Sequence, residues 1–312
     1  MTDELKQMNL KLINKFLEGT RTDNTESSYK SDLINFSDSI DKSLLEVDID
    51  DVNHYFNKVL KFKPNNDENK EKEKYKPRSK NRKLISLNKF YKYLIKKKLI
   101  SDNPFEDFNK FKVDDTKEVV LLEKKQVDAL IKYIKMKIKK AKTEYQQKNL
   151  EIRNLAIINT LIKTGMRIDE ALSLNFNELD LAKGTITLVG ENTKGKTSRI
   201  LYMNEETIKI LQNYLDIRSC FDKKNSNLVF ISNEGNKIGE NVINKMLKKY
   251  GKAEGVAVEG LHSHCFRHFF ATLLYNKYKD INLVRLALGH VSIATTMTYI
   301  HSDDDVERMK YL

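Results

Sequence analysis

Residues 264–299 read HCFRHFFATLLYNKYKDINLVRLALGHVSIATTMTY. Phe266, Phe269, Phe270, Leu273 and Leu274 recur at three and four, which lines one face of a helix and predicts an element over 264–277. A second helical pattern follows over 281–288. Ser292 offers an N-cap for a third over 292–300. Within these elements lie His264 and Arg267, one turn apart on one helix face. His290 follows Gly289 at a turn, and Tyr299 follows nine residues later. A rigid positive fork, two imidazoles and a phenol are most of what a metal-free phosphoryl-transfer site needs; the second arginine and the proton donor it lacks are found upstream, as Arg167 and Lys194. Taken singly, a histidine on a half-apolar helix or one of 14 tyrosines reads as packing. The combination is what points to chemistry, since five of the six histidines fall within residues 262–301.

Upstream, helical patterns span Lys124 to about Lys140, Asn154 to Lys163, 205–217 and 240–250. Gly165 is expected to close the second of these as a C-terminal glycine. Arg167, in Thr164-Gly-Met-Arg-Ile-Asp-Glu170, then sits at a helix start, where backbone N–H groups favour an anion. Residues 185–189 (TITLV) and 199–202 (RILY) are strand-like and predict a β-hairpin with a glycine-bearing tip.

Residues 1–112 read as a separate helical domain, and residues 113–312 as the second, with a linker over 106–120. Thr25 is a plausible cap for a helix carrying Leu33 and Phe36. Residues 63–80 are polar and charged and carry two of the three prolines, which predicts a solvated loop. Leu84, Leu87, Phe90, Tyr91 and Leu94 then mark a long amphipathic helix. Its other face carries Arg82, Lys83, Lys89, Lys92 and Lys96, and Asn103-Pro104 ends the helical region.

Composition says what such a face is for. The 312 residues hold 56 Lys/Arg against 44 Asp/Glu, a formal net charge of +12. The excess is uneven: residues 61–100 carry 15 basic and 4 acidic groups, residues 1–60 carry 7 and 12. A concentrated basic stretch suits backbone phosphates, with an acidic membrane surface or plain solubility as the alternatives. Only 10 of the 56 basic residues are Arg, so each arginine stands out as a fork that lysine cannot copy. Cys220 and Cys265 form no ligand pair, which fits a reduced compartment. The start of the chain has no apolar core of signal type, and no stretch approaches 18 apolar residues. A soluble, cytoplasmic protein without a membrane partner is expected.

Three segments together resemble the tyrosine recombinase (phage integrase) family. They are Thr164-Gly-x-Arg167-x-x-Glu170, His264-x-x-Arg267-His268-x-Phe270-Ala-Thr272 and Leu288-Gly-His290-x-Ser292-x-x-Thr295-Thr296-x-x-Tyr299-x-His301. The N-terminal part is similar to the core-binding domain of Xer-type members, through Thr25, Tyr29, Asp32-Leu33, Phe36 and Asn103-Pro104-Phe105. The resemblance implies a mainly α fold: a helical, SAM-like core-binding domain, then a mostly helical catalytic domain with a small antiparallel β-sheet. It implies a site-specific recombinase acting on double-stranded DNA as a tetramer on two duplexes, through a Holliday junction, with no cofactor. A partner recombinase or activator is a further open possibility. Tyr299 would be the nucleophile, and Arg167 and Arg267 the phosphate clamp. His290 would be a further donor and His264 the group that orients or deprotonates the tyrosine. Lys194, with Lys196 as competitor, would protonate the leaving 5′-oxygen. Glu170 would order the arginine fork. Val306, Met309, Tyr311 and Leu312 would anchor a tail packed on a neighbouring protomer. No arm-binding domain is expected before residues 1–112.

Three rivals are weighed against this. A metal hydrolase would use His264, His268 and His290, but the glutamate expected between the first two is replaced by Cys265-Phe266-Arg267. A non-catalytic basic regulator leaves the Arg, His and Tyr set unexplained. A type IB topoisomerase shares the chemistry, with one cut and reseal in place of paired exchange.

Overall fold

The computed structural model describes residues 2–19, 23–62, 74–113, 120–141, 145–190 and 198–297. It divides into two compact units, Met1–Lys117 and Glu118–Leu312. The expectations placed on Lys194, Lys196, Tyr299, His301 and the segment 303–312 lie outside the described residues.

The first unit is helical: α1 (Asp3–Leu17), α2 (Asp23–Ser37), α3 (Ile49–Asn57) and α4 (Pro77–Lys96). Helix α3 begins with a reciprocal cap in which Asp48 and Asp51 each accept the other's backbone N–H. Pro77 opens α4 from its first turn, where no amide donor is needed. The predicted stripe of α4 is the core face: Leu84, Leu87, Phe90, Tyr91 and Leu94 are all buried, against Leu33, Phe36, Val52 and Phe56. Thr25 is not a cap, because α2 starts two residues earlier, at Asp23.

The second unit holds α5 (Lys124–Lys140), α6 (Tyr145–Thr164) and α7 (Ile168–Leu172) before a small antiparallel sheet. The sheet has the order β1 (Leu179–Asp180), β2 (Thr185–Leu188), β3 (Arg199–Tyr202), with Ile186 opposite Leu201 and Leu188 opposite Arg199. Then come α8 (Glu205–Arg218), α9 (Glu240–Gly251), α10 (Ser263–Tyr278), α11 (Ile281–Leu288) and α12 (Ile293–Met297). Helix α6 is central and packs on α5, α8 and α10. It begins nine residues before the predicted start, because its first turns bury polar groups that hide the apolar period. Glu151 takes hydrogen bonds from Lys137 and Tyr250, and Arg153 donates to the Ile231 carbonyl at 3.1 Å. The two-residue strand β1 escapes sequence reading because two residues cannot display alternation.

Candidate active site

The turn after α6 sets the site. Gly165 closes the helix with φ +62°, its N–H donating to the Leu161 carbonyl. A β-carbon here would lie 2.3 Å from Phe270 of α10, so the turn and α10 can approach only because residue 165 is glycine. Arg167 is the N-cap of α7, and its backbone N–H donates to Glu170 Oε2 at 2.7 Å. Arg167 Nη1 donates to Glu170 Oε1 at 3.0 Å, and the side chain keeps 21 % of its surface exposed.

Arg199 completes a three-residue cluster that the sequence reading did not assign. At the start of β3 it donates to both oxygens of Glu170, from Nη2 at 2.6 Å and from Nη1 at 3.3 Å. Glu170 is buried, and burial by itself raises a carboxyl pKa. The hydrogen bonds and charges of Arg199 and Arg167 outweigh that and hold it below the usual value. The scarcity of arginine was the signal that could have singled Arg199 out.

Arg267 lies deeper, with 1 % of its surface exposed. Its Nη1 donates to the Gly165 carbonyl at 2.7 Å, and its Nη2 to the Leu288 carbonyl at 2.6 Å. Nη2 also lies 2.9 Å from His290 Nε2. A guanidinium can only donate, so Nε2 is the acceptor and the imidazole is neutral. The proton then sits on Nδ1, which donates to Thr296 Oγ1 at 2.9 Å. Burial first, then the cations of Arg267, Arg167 and Arg199, lower the pKa of His290 to about 4, with Glu170 opposing. Gly289, with φ +65°, caps α11 and lets the chain turn to present His290. A β-carbon there would meet Arg199 Nη1 at 2.7 Å.

His264 sits in the first turn of α10 and is exposed, whereas Arg267 one turn later is buried. Partial desolvation of its ring lowers its pKa; Glu240 opposes, while His262, Arg267 and Arg167 add to the lowering. Ser292 accepts the Ala294 N–H at 3.2 Å, in keeping with its expected role as cap of α12. The structure thus gathers Arg167, Arg267 and His290, together with Glu170, Arg199 and Thr296, and leaves His264 on the open side. Two guanidinium groups on one carboxylate, and a third beside a neutral imidazole, leave an excess of positive charge suited to bind an anion. Both nitrogens of His290 are engaged by Arg267 and Thr296, an arrangement unlike a metal ligand's. No three His, Cys, Asp or Glu side chains cluster as metal ligands among the described residues.

In the first unit Arg82, Lys89, Lys92 and Lys96 are exposed, but Lys83 is not on their face. It is 7 % exposed and its Nζ lies 3.0 Å from the fully buried Asp32. Asp32 also takes a two-pronged contact from Arg82, at 2.6 and 2.7 Å, and a hydrogen bond from Ser86 at 2.8 Å. A charge run looks uniform in sequence, and only the buried acid reveals which lysine turns inward. Among the described residues no helix is long and apolar enough to cross a membrane.

The pattern of the phage integrase family matches residues 120–305, and that of the phage integrase N-terminal SAM-like domain matches residues 13–98. A tyrosine recombinase of Agathobacter rectalis is 33 % identical over 237 residues, 73 % of each chain. Tyrosine recombinase XerD of Vibrio cholerae is 31 % identical over 240 residues, 76 % of this chain and 74 % of its own. Among solved structures, the Tn1549 transposon integrase in complex with transposon right end DNA superposes with a TM-score of 0.68, at 20 % identity and 98 % coverage of both chains. The XerH site-specific recombinase bound to difH substrate gives 0.65 at 20 % identity, covering 100 % of this chain and 97 % of that one. Likenesses at such identity establish the shared fold.

Proposed function

The chain belongs to the phage integrase family, and on that premise we propose that it is a site-specific recombinase that cuts and rejoins double-stranded DNA through a 3′-phosphotyrosyl intermediate. The observation that carries the reading is the pairing of Arg167 and Arg199 on the single carboxylate of Glu170, with Arg267 held on the neighbouring turns beside a neutral His290. Such a cluster favours the extra negative charge that phosphoryl transfer builds on non-bridging oxygens.

Tyr299 Oη attacks the scissile phosphorus, a new P–O bond to tyrosine forms, and the bond to the 5′-oxygen breaks. His264 takes or directs the phenolic proton, and Lys194 gives one to the leaving 5′-oxygen. Bond energy is conserved in the phosphodiester, so neither a nucleotide nor a metal is required. Arg167, the more open of the two clamp arginines, meets the phosphate first. Arg267 reaches it by exchanging its contact with His290 Nε2. The imidazole then needs its proton on Nε2 to donate to the phosphate. Thr296 permits this, because a hydroxyl that accepts from Nδ1 can equally donate to it. Arg82, Lys89, Lys92 and Lys96 supply backbone-phosphate contacts from the first unit. Strand exchange then proceeds in a tetramer on two duplexes, through a Holliday junction, with the C-terminal segment packed on a neighbouring protomer.

The test is a nicked suicide duplex carrying a site selected from random-sequence DNA. Wild type is expected to become covalently joined to it in the presence of chelator and without ATP. Tyr299→Phe is expected to bind without forming the adduct; an adduct with that variant assigns the nucleophile elsewhere.

A further inference from the structure

Arg199 is the one guanidinium of the cluster whose chemistry the proposed reaction does not use. Its side chain is 7 % exposed, and its two terminal nitrogens are spent on Glu170, so it is not placed to grip a substrate. Its three contacts each lead to a different part of the machinery. Through Glu170 it reaches both the backbone N–H and the Nη1 of Arg167. Through its place at the start of β3 it belongs to the hairpin opposite Leu188. Its guanidinium and Cδ fill the space over Gly289, the residue before His290.

The charge arithmetic explains why a second arginine is needed. A buried Glu170 paired with Arg167 alone would cancel that cation and draw its fork fully onto the carboxylate. With Arg199 covering both oxygens, the guanidinium of Arg167 gives Glu170 a single 3.0 Å bond, and the trio retains a net positive charge. A buried carboxylate shared by two guanidiniums is also held in one rotamer, which fixes the direction of the fork it orients.

We propose that Arg199 is a positioning residue: by saturating Glu170 and bracing Gly289, it aims the Arg167 fork and the His290 turn at one phosphate and leaves the charge of Arg167 available to it. This rests on the recombinase reading above. It predicts that the loss of Arg199 is felt where Arg167 acts, on the charge of the non-bridging oxygens, and not on DNA affinity.

The experiment compares wild type, Arg199→Ala, Arg199→Lys and Arg167→Ala at saturating enzyme, on the selected nicked duplex and on the same duplex with a methylphosphonate at the scissile position. The methyl group removes the charge that the arginines serve. Arg199→Ala is expected to slow adduct formation about 10–100-fold on phosphate, the usual range for removing a group that supports a reacting one, and only about threefold on methylphosphonate. Arg199→Lys, which keeps a cation but loses the fork, is expected to follow the same pattern and serves alone should Arg199→Ala fail to fold. In the Arg167→Ala background, removing Arg199 should add little further loss. An equal loss on both substrates, an additive loss in the double variant, or wild-type rates in both Arg199 variants overturns the inference and leaves the recombinase reading standing. Failure of wild type to form any adduct overturns both.

Discussion

Arg267 Nη2 donates to His290 Nε2 across 2.9 Å, a contact that only a neutral imidazole can accept. A protonated ring has no lone pair to offer, so the bond exists only while His290 is neutral. Burial first, and then the cations of Arg267, Arg167 and Arg199, lower its pKa to about 4 from the ordinary 6.5, which keeps the ring neutral.

Stability should therefore depend on acid in a defined window. Above pH 6.5 His290 is neutral in both folded and unfolded chains and has no effect on the balance. As pH falls from 6.5 towards about 4 the unfolded chain takes up a proton that the folded chain refuses, so stability is lost. At about 1.4 kcal/mol per pH unit the loss across this window reaches at most about 3.5 kcal/mol. Urea unfolding at pH 7 and pH 5 measures it. His290→Gln, whose amide oxygen still accepts from Arg267 without titrating, should flatten the slope. A residual slope of the same sign is expected from His264, whose pKa is also lowered.

Gly165→Ala and Gly289→Ala should both destabilise, for reasons that differ in degree. Each residue has positive φ, which costs a β-carbon about 1–2 kcal/mol. At 289 the neighbour is the Arg199 side chain, which can shift only by loosening its bonds to Glu170, so the total should rise above the backbone cost to about 2–3 kcal/mol. At 165 the neighbour is the Phe270 ring at 2.3 Å, held between α10 and the turn, so a larger loss, about 3–4 kcal/mol, is expected. Equal midpoints for the two variants in denaturant would contradict this ordering.

Asp32→Ala removes the acid that Arg82, Lys83 and Ser86 share. Breaking a buried pair leaves uncompensated charge, at a cost of about 3–5 kcal/mol. Lys83 is buried and cannot leave for water without moving α4, so thermal unfolding should show the full loss. Asp32→Asn, which still accepts two hydrogen bonds, should lose less.

Lysines of one helix should separate by assay. Lys92→Ala and Lys96→Ala, both on exposed positions, should each lower the slope of log affinity against log salt by about 0.9 while leaving the melting temperature unchanged. Lys83→Ala should do the reverse, lowering stability without altering the slope. Salt titrations of duplex binding beside thermal melts check both halves.

Local patterning made much of the fold legible. The α4 stripe from Leu84 to Leu94, the helices after Ser263 and Ile281, and the hairpin of 185–188 with 199–202 follow from periods of three to four or two residues, a property of neighbours in the chain. Arg167, His264, Arg267 and His290 stood together as a set through motifs that resemble the integrase family, not through local periodicity. Where polar residues are buried the same reading faltered, as at the start of α6, where Glu151 and Arg153 break the apolar period because their partners lie on other elements.

By itself the sequence determined the helices whose apolar period is unbroken, and which chemical groups are present. Tertiary structure alone decided that Arg199, 29 residues from Glu170, would saturate that carboxylate, that Lys83 would turn in to Asp32, and that His290 would be neutral under Arg267. The physical reason is range: helix and strand periods are set within a few residues, whereas charge pairing, burial and protonation depend on groups that meet only when distant segments pack.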